Sequence, residues 1–247
     1  MDLSLKELAR IFRILSSWEE EPKKPRAALI GGWAVYCYNR YHGSTDVDIL
    51  TPAGKRDSLI KELKRRHGYE FRALEDGERP HLYKEFGMES ADNGKKEKVI
   101  IDFINPTDKY QFPGKSDALR HSFIYERLTT APLGGITVPV PDRTALLVTK
   151  LKAAWDRRVK LDFYPRTPDR PYQEGKIIKD YADILALVDP DKGGTELDLT
   201  FLNTMLEKHK FLKAVLDRCE ISGPAAELYG ISPEMGKEIV RRLAGLL

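Results

Sequence analysis

An apolar strand that runs into a glycine pair, with two aspartates following one short helix later, restricts this chain more than any other stretch. The residues are Ala28-Leu29-Ile30-Gly31-Gly32-Trp33-Ala34 and then Ser44-Thr45-Asp46-Val47-Asp48-Ile49-Leu50. Glycines at a strand-to-helix turn let the backbone pass close to a ligand, and the N–H groups opening the helix suit phosphate. Residues two apart in an extended segment point to the same side, so Asp46 and Asp48 can hold one hard cation between them. A phosphate cradle beside a carboxylate pair is the minimum needed to handle a nucleoside triphosphate.

With 247 residues, 41% hydrophobic and 32% charged, the chain can bury a core as one large domain or two modest ones. Its apolar runs all fall well short of the ~20 residues that span a bilayer. Met1 to Glu21 alternates charge like an amphipathic helix and lacks a signal peptide's apolar core. Cys37 and Cys219 stand far apart without metal-ligand spacing, so the expected compartment is a reducing cytoplasm and structural zinc is not expected. A net charge of +3 is too small to establish nucleic-acid binding. Its distribution says more: seven bases against three acids lie between Lys150 and Arg170, beside a Pro-rich loop from Tyr164 to Tyr172. This stretch reads either as a surface for a polyanion or as a solvated charged face.

Leu3, Leu5, Leu8, Ile11, Phe12 and Leu15 form a helical stripe, followed by a linker bounded by Pro22 and Pro25. A strand over Ala27–Ile30, a helix from Trp33 to Tyr41, a strand over Asp46–Leu50 and a charged helix over Lys55–His67 come next. Residues 69–73 and 81–87 suggest strands, and Asp92-Asn93-Gly94 signals a turn. Val99–Ile104 is a strand apolar on both faces except for Asp102. The pattern fades after Pro106 and returns at Ile136–Pro141, whose prolines suggest an edge. Asp142 then caps a helix through Arg158, and further helices are expected over Glu174–Val188, Asp198–His209, Phe211–Glu220 and Ser232–Leu247. The chain therefore divides into an N-terminal α/β part over 1–140 and a helical part over 141–247.

A carboxylate inside an apolar strand is costly unless partnered. Asp102 either pairs with an arginine or lysine or converges with Asp46 and Asp48 on divalent metal, whose charge removes their repulsion. The second account explains all three acids and points to two-metal phosphoryl transfer, with Asp46 and Asp48 bridging the ions and Asp102 nearest the nucleophile. Asp102 is also placed to accept the hydroxyl proton. His42, His67, His81, His121 and His209 have no ligand spacing. In the later helices, spacing alone favours ordinary ion pairing of Lys150 or Arg157 with Asp180, while Asp180 and Asp183 share a side with Lys176 and Lys179 nearby.

Gly31-Gly32, Asp46-Val47-Asp48 and Asp102 resemble the three-carboxylate pattern of the nucleotidyltransferase superfamily that includes DNA polymerase beta and antibiotic-modifying enzymes. Leu146 to Ala153, Arg157, and Lys179-Asp180-Tyr181-Ala182-Asp183-Ile184 extend the resemblance to the AbiEii-type abortive-infection group, which includes toxins of type IV toxin–antitoxin systems. It covers residues 26 to 190. The resemblance implies an α/β (α+β) nucleotidyltransferase domain with a mixed sheet, followed by a helical domain that contributes to the nucleotide and acceptor site. It implies Asp46, Asp48, Asp102, Lys150 and Asp180 as catalytic, with Lys150 on the triphosphate. Gly31, Gly32, Ser44, Thr45 and Lys150 would hold the NTP, and the three carboxylates Mg²⁺ or Mn²⁺. An RNA acceptor such as a tRNA end and a protein partner such as an antitoxin also follow from it. One departure stands out: His42 occupies the place, four residues before the first aspartate, where the group often carries arginine, a better phosphate partner than imidazole. Other readings are a small hydroxylated acceptor, a binding module that has lost catalysis, and a glycosyltransferase using Asp-x-Asp, against which the Gly-Gly turn and Asp102 count.

Overall fold

The fold is that of a computed structural model, which describes residues 3–18, 27–72, 81–87, 96–163, 166 and 168–247. The N-terminal amphipathic stripe forms α1 (Leu3–Ser17), with Leu8, Ile11, Phe12 and Leu15 buried. Next come β1 (Ala28–Ile30), α2 (Gly31–Tyr38), β2 (Asp46–Leu50), α3 (Ala53–His67), β3 (Glu70–Arg72), β4 (His81–Gly87) and β5 (Lys96–Ile104). The five strands make one mixed sheet in the order β1-β2-β5-β4-β3, with β2–β5 as its parallel pair. Alternation decides which face is which. Val47 and Ile49 of β2 and Val99 and Ile101 of β5 are buried in the main core, while Asp46, Asp48, Ile100 and Asp102 lie on the opposite face.

Two short strands, β6 (Tyr110–Gln111) and β7 (Ala118–Leu119), and a 3-10 helix over His121–Arg127 follow. The hairpin of β8 (Leu128–Leu133) and β9 (Ile136–Pro141) then packs beside β1. Gly134 and Gly135, with φ of +60° and +78°, are its two-residue turn, a conformation that suits the strand twist and favours glycine. The expected edge strand at Ile136–Pro141 thus has a partner in β8 that the fading pattern after Pro106 did not reveal.

The helical region begins with α4 (Arg143–Phe163) and α5 (Arg170–Val188), which pack along one another, and continues through α6 (Leu199–Lys208), α7 (Lys213–Glu220), α8 (Gly223–Tyr229) and α9 (Pro233–Ala244). Asp142 caps α4 as its side chain accepts from the Ala145 N–H at 2.7 Å, and Asp198 caps α6 through Phe201. Several boundaries differ from expectation. Helix α2 starts on Gly31 itself and stops at Tyr38, three residues before Tyr41. Helix α4 runs past Arg158 to Phe163, and α5 begins at Arg170, four residues before Glu174, because Pro171 is tolerated in a first helical turn. The linker prolines Pro22 and Pro25 and the turn Asp92-Asn93-Gly94 lie outside the described residues.

Candidate active site

Gly31 opens α2 with φ +70°, and a Cβ there would run into the Asp48 carboxylate. Both its conformation and its closeness to Asp48 require glycine. A Cβ on Gly32 would lie 2.9 Å from Lys179 Nζ and 3.1 Å from Ser44 Oγ, so a lysine and a hydroxyl converge on the start of α2. The Ser44 segment is anchored from behind, since Ser4 of α1 donates its hydroxyl to the Ser44 carbonyl at 2.6 Å. Thr45 donates to Asp46 Oδ1 at 3.2 Å.

The parallel register sets Asp48 directly beside Asp102, and Asp46 beside Ile100, on the site face. The same row continues to Ile30 on one side and His81 on the other. Burial pushes the Asp48 carboxyl above its ordinary range, and the neighbouring Asp46 charge adds to this. Lys150, Lys176 and Arg157 pull the other way. Asp46 Oδ2 accepts from Lys176 Nζ at 2.7 Å. Burial alone would lower the Lys176 ammonium, yet the Asp46 carboxylate raises it above the ordinary lysine value.

Behind these acids, α4 and α5 bring together a second charged layer. Lys150 Nζ lies 2.6 Å from Asp183 Oδ2 and 3.5 Å from Asp180 Oδ1, all three residues being buried. Lys179 bonds both Asp183 oxygens, at 3.1 and 3.2 Å, and Tyr41 donates its hydroxyl to Asp183. Arg157 pairs with Asp180. Burial would raise Asp183, but Lys150 and Lys179 more than reverse this and hold its carboxyl below the ordinary range. Burial lowers both Lys179 and Arg157 from their usual values. The ion pairing of Lys150 and Arg157 with Asp180, favoured from spacing, is present, but Lys150 has its shorter contact with Asp183. Sequence reasoning placed Asp183 only on a shared helix side and gave Tyr41 no role. The signal for Asp183 was its place between Tyr181 and Val188, a run buried throughout.

The basic stretch from Lys150 to Arg170 is largely neutralised: Lys150, Lys152, Arg157, Arg158, Lys160 and Arg170 each have an acidic partner. A run of bases along a helix meets acids one turn away or on its neighbour, so a local excess of charge in sequence disappears in space. The three-carboxylate cluster is also not closed. Among the described residues, no three or more His, Cys, Asp or Glu side chains group as metal ligands. The hard oxygen donors suit Mg²⁺ or Mn²⁺ in kind, and strand register aligns Asp48 with Asp102, but Asp46 is turned onto Lys176. His42 is exposed and lies tilted against the Tyr41 ring, and Arg40 lines a groove with Pro132–Thr137 of the β8–β9 hairpin.

An antigenic nucleotidyltransferase-like protein from Paracoccidioides brasiliensis is similar in structure, with 17% identity and a TM-score of 0.44, covering 87% of this chain and 93% of that one. The antibiotic-resistance factor ANT(2'')-Ia is similar with 12% identity and a TM-score of 0.42, covering 88% of this chain and 97% of that one. No curated protein matches the sequence. The family described as "Nucleotidyl transferase AbiEii toxin, Type IV TA system" matches residues 13–228, a span that contains the glycine turn, the three aspartates of the sheet and the α4–α5 charge layer. The chain belongs to the AbiEii nucleotidyl transferase family.

Proposed function

We propose that the chain moves a nucleoside monophosphate from an NTP to an acceptor hydroxyl in a reaction that depends on Mg²⁺ or Mn²⁺. The observation that carries this reading is the Asp48–Asp102 pair in parallel register, with Asp46 on the same face and the Gly31 turn against Asp48. The acceptor oxygen bonds to the α-phosphorus, the bond from that phosphorus to the bridging oxygen breaks, and pyrophosphate leaves. Asp102 accepts the hydroxyl proton. Divalent metal held by Asp46, Asp48 and Asp102 supplies Lewis-acid stabilisation of the phosphate charge. The N–H groups opening α2 at Gly31 and Gly32, with Ser44 and Thr45, bind the phosphates. Lys150 adds positive charge at Asp48 and toward the triphosphate, and Asp180 fixes Lys150 and Arg157 in place.

The family's description as a type IV toxin supports an antitoxin as functional partner, and the acceptor we propose is an RNA such as a tRNA end. Two free cysteines suit a reducing cytoplasm, and no helix among the described residues is long and apolar enough to cross a membrane. The test is incubation with labelled NTPs, Mg²⁺ or Mn²⁺, and either total RNA or small hydroxylated acceptors. Label is expected on RNA, and its appearance only on a small acceptor would move the chain to the antibiotic-modifying type. No transfer at all, or full transfer by the Asp46→Ala/Asp48→Ala double variant, would refute the reading.

A further inference from the structure

The cations around the carboxylates are not equally committed. Lys150, Lys179 and Arg157 all bind Asp180 or Asp183, which belong to the helical layer. Lys176 alone among these four binds an acid of the sheet, Asp46, at 2.7 Å. Exposure separates the acids they bind: the Asp180 and Asp183 side chains are 5% and 1% exposed, against 18% for Asp46. A buried pair is costly to break, whereas a partly solvated one exchanges partners readily. Lys176 also lies over the exposed Tyr172 ring, 5.3 Å from its centroid, so its ammonium touches an exposed aromatic face as well as Asp46.

We propose that Lys176 is a place-holding cation. It neutralises Asp46 in the free protein, yields that carboxylate to the divalent cation, and then turns to the phosphate oxygens of the incoming NTP. This rests on the nucleotidyl-transfer reading and adds a substrate-binding residue to it. It also accounts for the unclosed carboxylate group, since Asp46 is held by Lys176 rather than aimed between its neighbours. The exchange needs no rearrangement of the buried layer, because Asp183 and Asp180 keep Lys150, Lys179 and Arg157 throughout.

The experiment is Mn²⁺ titration of the full chain, followed by electron paramagnetic resonance of free Mn²⁺, on wild type, Lys176→Met and Lys176→Arg. Affinity for α,β-methylene analogues of ATP, GTP, CTP and UTP at saturating Mn²⁺ is then measured, with thermal melts to verify folding. Removing a competing cation whose partly exposed pair has modest strength is expected to tighten Mn²⁺ binding about fivefold in Lys176→Met. The same variant should bind the preferred analogue about tenfold more weakly, the loss of one charge-assisted phosphate contact, and Lys176→Arg should recover most of it. Unchanged or weaker Mn²⁺ binding by Lys176→Met, or unchanged analogue binding, overturns the proposal while leaving the nucleotidyl-transfer reading intact. Absence of Mn²⁺ binding by both wild type and variant overturns the two together.

Discussion

Replacing Asp183 by asparagine keeps the shape of the side chain and removes the charge on which the α4–α5 layer is built. Asp183 is fully buried, accepts from Lys150 at 2.6 Å and from Lys179 at 3.1 Å, and receives the Tyr41 hydroxyl. Removing one member of a buried ion pair costs roughly 3–5 kcal/mol, because the remaining charge stays buried and unneutralised. Lys150 retains Asp180 at 3.5 Å, which places Asp183→Asn at the low end, about 3 kcal/mol. For a chain of this size that corresponds to a fall in Tm of roughly 6–12 °C. Urea unfolding at pH 7, followed by far-UV circular dichroism and tryptophan fluorescence, measures the loss and verifies that both probes move together. A pH arm checks the cause. The Asp183 carboxyl is held below its ordinary value of 3.8, so its contribution is complete above that value and is lost as pH falls through the depressed one. The gap between wild type and variant should therefore be constant from neutral pH down to about 4 and should close only in stronger acid. A loss under about 1 kcal/mol at pH 7, the size of an exposed pair, would refute the reasoning, as would a gap indifferent to acid.

Gly31→Ala combines a positive φ with a Cβ placed into Asp48, and should lower stability by about 1–3 kcal/mol in a thermal melt and weaken NTP binding in calorimetry. Tyr229→Phe removes a hydroxyl that donates to Asp189 and accepts from Asn39 at 2.6 Å inside the core. The buried partners left behind should cost about 1–3 kcal/mol in urea unfolding. Arg143→Met withdraws the guanidinium that donates to Leu187 O at 3.1 Å and Lys192 O at 2.7 Å, beyond the end of α5, and should cost about 2–4 kcal/mol. Lys213→Ala breaks an exposed pair with Glu207 and should leave the urea unfolding midpoint unchanged, which makes it the control for the charged variants.

The parts of the fold that sequence made legible are those whose pattern is local. Asp46 and Asp48 share a face because strand periodicity is two, and α1 and the main helices carry their stripes over several turns. That Asp102 joins Asp46 and Asp48 was expected from the carboxylate inside an apolar strand, but the parallel register that sets Asp48 beside Asp102 was not legible, because nothing within either strand specifies a parallel neighbour reached by a long crossover. Residues 107–120 offered little because β6 and β7 are two residues each, too short to display a period. The Gly134-Gly135 pair did mark a hairpin turn between two extended segments, a signal equal to the others and left unread. Lys176 looked like an ordinary polar position of α5, since its partner Asp46 belongs to a strand far away in sequence. Asp183 could have been singled out by the argument applied to Asp102, a carboxylate set among buried neighbours.

The division of the site between the sheet and the α4–α5 layer has a consequence for the order in which the chain is made. Chains fold from the N-terminus as they emerge, and a site is complete only when its last contributor is available. Asp46, Asp48 and Asp102 emerge first, as a patch of like charge on one face of the sheet. The residues that balance them, Lys150, Arg157 and Lys176, come from the two helices that follow. A chain interrupted before α5 therefore carries the acids without Lys176 and Lys179, and without Asp183 to hold Lys150. On the nucleotidyl-transfer reading proposed above, the interval between synthesis of β5 and docking of α5 is a period in which this member of a toxin family is present and its chemistry is not.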